Sequence, residues 1–100
     1  MASLSSIASS GMQAAQLRLQ SSAHNVANLQ TEGFHRQEVH QQARADRSGV
    51  DAHLARAPRA GAALEADVVD QLAAKNAFVA SAVVFRTADR LAGTLLDLRA

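Results

Sequence analysis

The sequence predicts a mostly α-helical protein: two long terminal helices packed antiparallel as a coiled-coil-like hairpin, joined by a short irregular polar segment that admits minor β structure. Three observations predict it. Apolar residues recur three or four apart at both ends of the chain, which is the spacing of a stripe on a helix. Apolar residues make up 48% of the 100 residues, much of that alanine, and only three aromatics are present, Phe34, Phe78 and Phe85. Alanine favours helix because it loses no side-chain entropy there, and strand-favouring residues are few. The single proline, Pro58, falls between the two helical stretches. The expected division is 1–32 for the N-terminal helix, 33–61 for the connector and 62–100 for the C-terminal helix, together one domain.

In the first helix the stripe runs through Ala8, Met12, Ala15, Leu19, Ala23, Val26 and Leu29, with Ser5, Ser9, Gln13, Gln16, Arg18 and Gln20 largely off it. Ser3 or Ser5 supplies an N-cap. Gly11 weakens the interior by roughly 1 kcal/mol relative to alanine. The helix is expected to end near Gln30, where Thr31, Glu32 and Gly33 bring turn chemistry and Gly33 suits a left-handed conformation. The connector, Phe34 to Gly61, has few large apolar residues and makes no core by itself. It reads as a short extended piece around Arg36 to His40, a turn at Ser48-Gly49 and a flexible run from Ala57 to Gly61.

The second helix carries Ala77, Ser81, Val84, Ala88, Leu91, Leu95 and Leu98 as an i, i+4, i+7 series. Val68, Leu72, Val79 and Val83 flank it on one side, and Phe78, Ala82, Phe85, Ala92 and Leu96 on another. Two helices laid side by side cover one face of each, so this wide apolar surface expects further neighbours.

The formal net charge of +1 gives no field that would draw nucleic acid or a membrane surface. The absence of cysteine excludes disulfides and thiolate metal sites. The N-terminus, with no positive residue before Arg18 and no continuous apolar core, does not read as a cleavable secretory signal. No stretch reads as long and apolar enough to span a bilayer, so no membrane insertion is expected.

The segment Ala23-His24-Asn25-Val26-Ala27-Asn28-Leu29-Gln30-Thr31-Glu32-Gly33-Phe34-His35-Arg36 resembles the N-terminal signature of the flagellar rod and hook axial proteins, approximately A-x-N-hydrophobic-A-N-x-x-T-x-G-[FY]-x-R. The fixed positions Ala23, Asn25, Ala27, Asn28, Thr31, Gly33, Phe34 and Arg36 all match, and Ser10-Gly11-Met12-x-Ala14-Ala15 is similar to the family's opening helix. A second resemblance lies in the C-terminal helix, at Phe78-Val79-Ala80-Ser81, Val84-Phe85-Arg86-Thr87-Ala88-Asp89-Arg90-Leu91 and Leu95-Leu96-Asp97-Leu98. There Phe78, Val84, Thr87, Asp89, Leu91, Leu95 and Leu98 are the expected packing positions. Where the family often has Arg-Ala-Tyr-Glu-Ala-Asn, this chain has Asn76-Ala77-Phe78-Val79-Ala80-Ser81, and its connector is too short for a large β-rich outer domain. The resemblance implies a small structural subunit of the flagellar basal-body rod in the periplasm, built into the torque-transmitting axis. Its implied partners are other axial subunits, possible copies of itself and the flagellar export apparatus, which passes the chain out without a cleavable signal. The other reading is a free-standing helical-hairpin oligomer.

Each motif also has a plain reading. Asn25 and Asn28 suit local capping of the helix end, and Gly33 suits backbone geometry. Phe34 is either the first anchor after the helix or an assembly contact. Asp89 and Arg86, three apart, suit a solvated pair. His24, His35, His40 and His53 lie 11, 5 and 13 apart, which puts no two on one helix face, so no metal ligand set is expected. Glu38, Asp46 and Asp51 interrupt the arginines at 36, 44, 47, 56 and 59, so no nucleic-acid partner is expected. No nucleophile–base pair or phosphate loop stands out, and the chain reads as a non-enzyme without catalytic residues, cofactor or metal.

Overall fold

A computed structural model describes residues 3–99 of the chain. Met1, Ala2 and Ala100, which the sequence places in the terminal helices, lie outside the described residues. The element order is α1 (Leu4–Ala27), β1 (His35–Ala43), β2 (Val50–Ala60) and α2 (Leu64–Arg99). The protein is therefore mostly helical, with two long helices and one two-stranded antiparallel sheet.

α1 starts where Ser3, in extended backbone, accepts a hydrogen bond on its Oγ from the Ser6 N–H at 3.1 Å. It stops at Asn28, whose backbone N–H and side-chain amide both donate to the His24 carbonyl, at 3.1 and 2.9 Å. The helix thus ends two to three residues before the expected Gln30. Gly33 has the expected left-handed backbone (φ 71°), but in the turn that feeds β1 rather than at the helix end.

The connector corrects the sequence reading. The expected extended piece around Arg36 to His40 lies in β1 and the expected turn at Ser48-Gly49 lies in the loop after it, but the segment as a whole is not irregular: it is a hairpin of 9- and 11-residue strands, with His40 opposite His53 and Ala43 opposite Val50. The run from Ala57, expected to be flexible, lies in β2 up to Ala60. Cross-strand bonding supplies what composition lacks: the His35 ring meets the Ala57 carbonyl at 2.8 Å, and the Gly61 N–H donates to the Phe34 carbonyl at 3.0 Å. The loop between the strands is shaped by Arg47 (φ 61°) and Gly49 (φ 129°). Asp46 accepts from the Ser48 N–H at 3.1 Å and its hydroxyl at 2.6 Å.

The buried apolar side chains of the described residues are all alanines: Ala8, Ala14, Ala15 and Ala74. Small residues let the helix backbones approach closely, and a Cβ on Gly11 would lie 2.8 Å from the Ser81 Oγ. Ser22 Oγ donates to the Asp67 carbonyl further along. These contacts advance in opposite directions along the two helices. At about 1.5 Å per residue α1 is ~36 Å long and α2 ~54 Å. With Gly11 level with Ser81, α1 runs out near Ala88, and the last three turns of α2 overhang. The resulting shape is a slab of 62 × 25 × 14 Å with a radius of gyration of 17.2 Å, against about 13 Å for a compact chain of this length.

A second correction concerns α2, which by length and composition alone is long and apolar enough to cross a membrane. No uninterrupted apolar run exists there because Asp70, Lys75 and Asn76 break it, yet the many alanines and valines around them carry the average.

Candidate functional site

Two features stand out, a polar clamp that fixes the hairpin to the helices and an apolar surface that nothing among the described residues covers. The clamp gathers two positions of the N-terminal motif. Asn25 is buried, not a surface cap: its amide nitrogen donates to the Gln37 carbonyl at 3.0 Å and to Asp67 Oδ1 at 3.3 Å, while its Oδ1 accepts from the Gln37 N–H at 2.7 Å. Ser21 Oγ donates to the same Gln37 carbonyl at 3.1 Å. One asparagine therefore caps the edge of β1 in strand-like fashion and reaches across to α2. Its partner in the motif, Asn28, keeps the expected local role, bonding His24 and accepting from Thr31 Oγ1 at 3.2 Å.

Arg36 completes the clamp with a two-pronged grip on Asp67, Nε to Oδ2 at 3.3 Å and Nη2 to Oδ1. Its hydrogen bond to Asp67 holds the guanidinium pKa above its ordinary value, and burial works against this. The Asp67 side chain is 1% exposed. An unpaired carboxylate there would be costly, so Arg36, Asn25 and Asp67 stand or fall together. Sequence reasoning missed Asp67 altogether. The available signal was an aspartate in the first turn of a helix whose i+7 neighbour is Ala74, the row that faces α1.

The remaining motif residues are peripheral. Ala23, Ala27, Thr31 and Gly33 are exposed. Phe34 is half-buried, with its ring edge-on to His24 at a centroid distance of 5.3 Å. Ser10 plays a second linking role, donating to the Ile7 carbonyl at 2.7 Å and accepting from the Val50 N–H at 3.1 Å, which ties the far end of the hairpin to α1.

None of the expected C-terminal packing residues is buried within the chain. Phe78, Val84, Thr87, Asp89, Leu91, Leu95 and Leu98 are all exposed, and the leucines beyond the reach of α1 are the most exposed, rising to 78% at Leu98. Thr87 bonds only its own helix, through the Val83 carbonyl at 2.9 Å. The expected Asp89–Arg86 pair is not among the ion pairs of the described residues.

Spacing along the chain also hid one histidine pair. His40 and His53 face each other across the strands at 5.7 Å between ring centroids, and Glu38 Oε2 lies 3.7 Å from His40 Nε2. Among the described residues no group of three or more His, Cys, Asp or Glu is arranged to hold a metal ion. Comparison with protein-family models, with curated proteins and with solved structures gives no match.

Proposed function

We propose that the chain is a structural subunit of the bacterial flagellar basal-body rod, assembling through its terminal helices into the axis that transmits torque. The observation that carries this reading is the leucine-rich overhang of α2. Leu91, Leu95, Leu96 and Leu98 are 57 to 78% exposed on helix that α1 does not reach. Burying each such side chain stabilises by about 1.5–3 kcal/mol, so an exposed row of them is a strong drive toward association. The motif resemblance at Asn25 and Arg36 adds to it, because both hold the angle between the hairpin and the helix pair.

In this reading α1 and α2 form a coiled-coil-like antiparallel hairpin, and the overhangs of neighbouring copies or of other axial subunits pack on one another. Small residues at the α1–α2 contact stiffen the pair, and stiffness is what torque transmission demands. The chain does no catalysis and takes no cofactor. It reaches the periplasm through the flagellar export apparatus without a cleavable signal. A second reading, a free-standing helical-hairpin oligomer, is favoured by the exposed valines on the far side of α2.

The test is an epitope inserted at the exposed loop residues Ala45 to Arg47, followed by isolation of hook–basal bodies and immunoblotting. Recovery with the basal bodies is the expected result. Finding the tagged chain only as a cytoplasmic oligomer, in cells that still build flagella, sinks the axial reading and favours the second.

A further inference from the structure

We infer that before assembly a second copy of this chain docks on the back of α2, antiparallel, about a two-fold axis at Asn76. Ala74 and Asp67, seven residues apart, mark the face of α2 turned to α1. On the opposite side lie Val69, Leu72, Asn76, Val79 and Val83, spaced three, four, three and four apart. That alternation is a coiled-coil seam two heptads long. Its apolar members are 62, 59, 52 and 46% exposed, so the seam is complete and uncovered.

Three features select the occupant. The first is the asparagine at the middle of the seam. A buried amide needs a partner, and a symmetry-related Asn76 is self-complementary, one amide donating to the other's oxygen in both directions. A single asparagine at such a position fixes register at some cost in stability. The second is charge. With Asn76 facing its counterpart, Val69 meets Val83 and Leu72 meets Ala80 beside Val79. Glu65 then comes opposite Thr87, within a turn of Arg86 and Arg90 of the other copy. Glu65, Arg86 and Arg90 form no ion pair among the described residues, so all three are free to pair this way. A parallel arrangement in register would set Glu65 on Glu65 and each arginine on itself. The third is area. The chain exposes 7167 Å², where a compact monomer of its mass exposes about 5,400 Å². The excess is about twice the roughly 800 Å² that a standard interface takes from each partner, so it covers this dimer face and leaves the leucine overhang a share of its own.

The dimer uses a surface distinct from the leucine overhang. Its two overhangs project from opposite ends, so it closes on itself and is the form of the unassembled chain. A polar axial array needs all its chains pointing one way, and the dimer must part before one forms. The inference therefore stands apart from the axial reading, and basal-body recovery tests only the latter.

The experiment uses the full chain. Sedimentation equilibrium at tens of micromolar is expected to give twice the 10.5 kDa chain mass. Glu65→Arg is expected to weaken the dimer about tenfold or more, and the combination of Glu65→Arg with Arg86→Glu and Arg90→Glu to restore it. Because the chain has no cysteine, Val69→Cys and Val83→Cys chains mixed and oxidised should cross-link to each other, while neither cross-links to itself. Circular dichroism of each variant checks that it is folded. A monomeric mass at 100 µM overturns the inference, as does self-cross-linking of the Val69→Cys chain, which marks a parallel dimer. Co-flotation of monomer with phospholipid vesicles also overturns it, by assigning the apolar back of α2 to a membrane.

Discussion

At Asp67 the electrostatics of the fold are concentrated in one side chain. Its carboxylate is almost fully buried and receives Arg36 on both oxygens and Asn25 on one. Replacing Asp67 with alanine leaves the Arg36 guanidinium without its carboxylate and the Asn25 amide with the Gln37 carbonyl as its remaining acceptor, and removing one partner of a buried pair costs about 3–5 kcal/mol. Because Arg36 keeps 19% of its side chain in water, the expected loss is nearer 2–3 kcal/mol after allowing for solvent screening. Urea unfolding of the Asp67→Ala chain measures it. Arg36→Ala should cost a similar amount, and the double replacement less than the sum of the two, because the second removes a group that the first has already stranded. Strictly additive losses would mean that the two residues act independently. A sequence pattern gives Arg36 as part of a motif but gives no sign of its partner 31 residues away, since that pair forms only when the fold brings β1 to the start of α2.

The elements were unequally legible, and the reasons are physical. Both helices could be read because their apolar spacing is local, and the Ser3 cap and the left-handed Gly33 follow from backbone rules that act within a few residues. The hairpin was mostly hidden. Its strands are rich in Gln, Arg, Ala and His and lack the β-branched alternation that marks a half-buried strand. They are held by their own ladder and by side chains from α1, namely Ser10, Ser21 and Asn25, which the helix stripe did not single out. Burial of α1 therefore extends over two faces, whereas a single stripe was expected. The loop that closes the hairpin makes a pH-dependent prediction. The Ser48 hydroxyl first, then its backbone N–H, hold the Asp46 carboxyl below its ordinary value of 3.8. A lowered folded-state pKa favours the folded loop above the ordinary value, and that contribution fades as pH falls through the lowered one. Amide exchange at Ser48 should accordingly quicken relative to neighbouring amides below about pH 4, and the Asp46→Asn chain should show no such step. A wild-type rate ratio that stays flat with pH would rule the loop contact out.

The whole molecule has more apolar surface than its own fold consumes. An alanine core buries little hydrocarbon per residue, so most of the large side chains of α2 contribute little to folding of the single chain and, in the proposed role, serve association. This separation is testable at the overhang. Leu95 and Leu98 are 63 and 78% exposed, and substitutions at such positions shift stability by at most about 0.5 kcal/mol. The Leu95→Gln, Leu98→Gln chain should keep the helicity and melting temperature of the original in isolation. If the proposed axial role holds, the loss of two large apolar contacts should lower its recovery with purified basal bodies by a factor of ten or more. If the substitutions instead lowered the melting temperature of the isolated chain by several degrees, the leucines would be folding back on their own chain, and the overhang would not be an assembly surface. If both stability and recovery were unchanged, the axial contact would have to lie on α1 or on the hairpin. In the proposed axial role, a subunit that keeps its apolar surface on a projecting helix would add to the stiffness of its own helix pair by packing that overhang on its neighbours, where torque would pass.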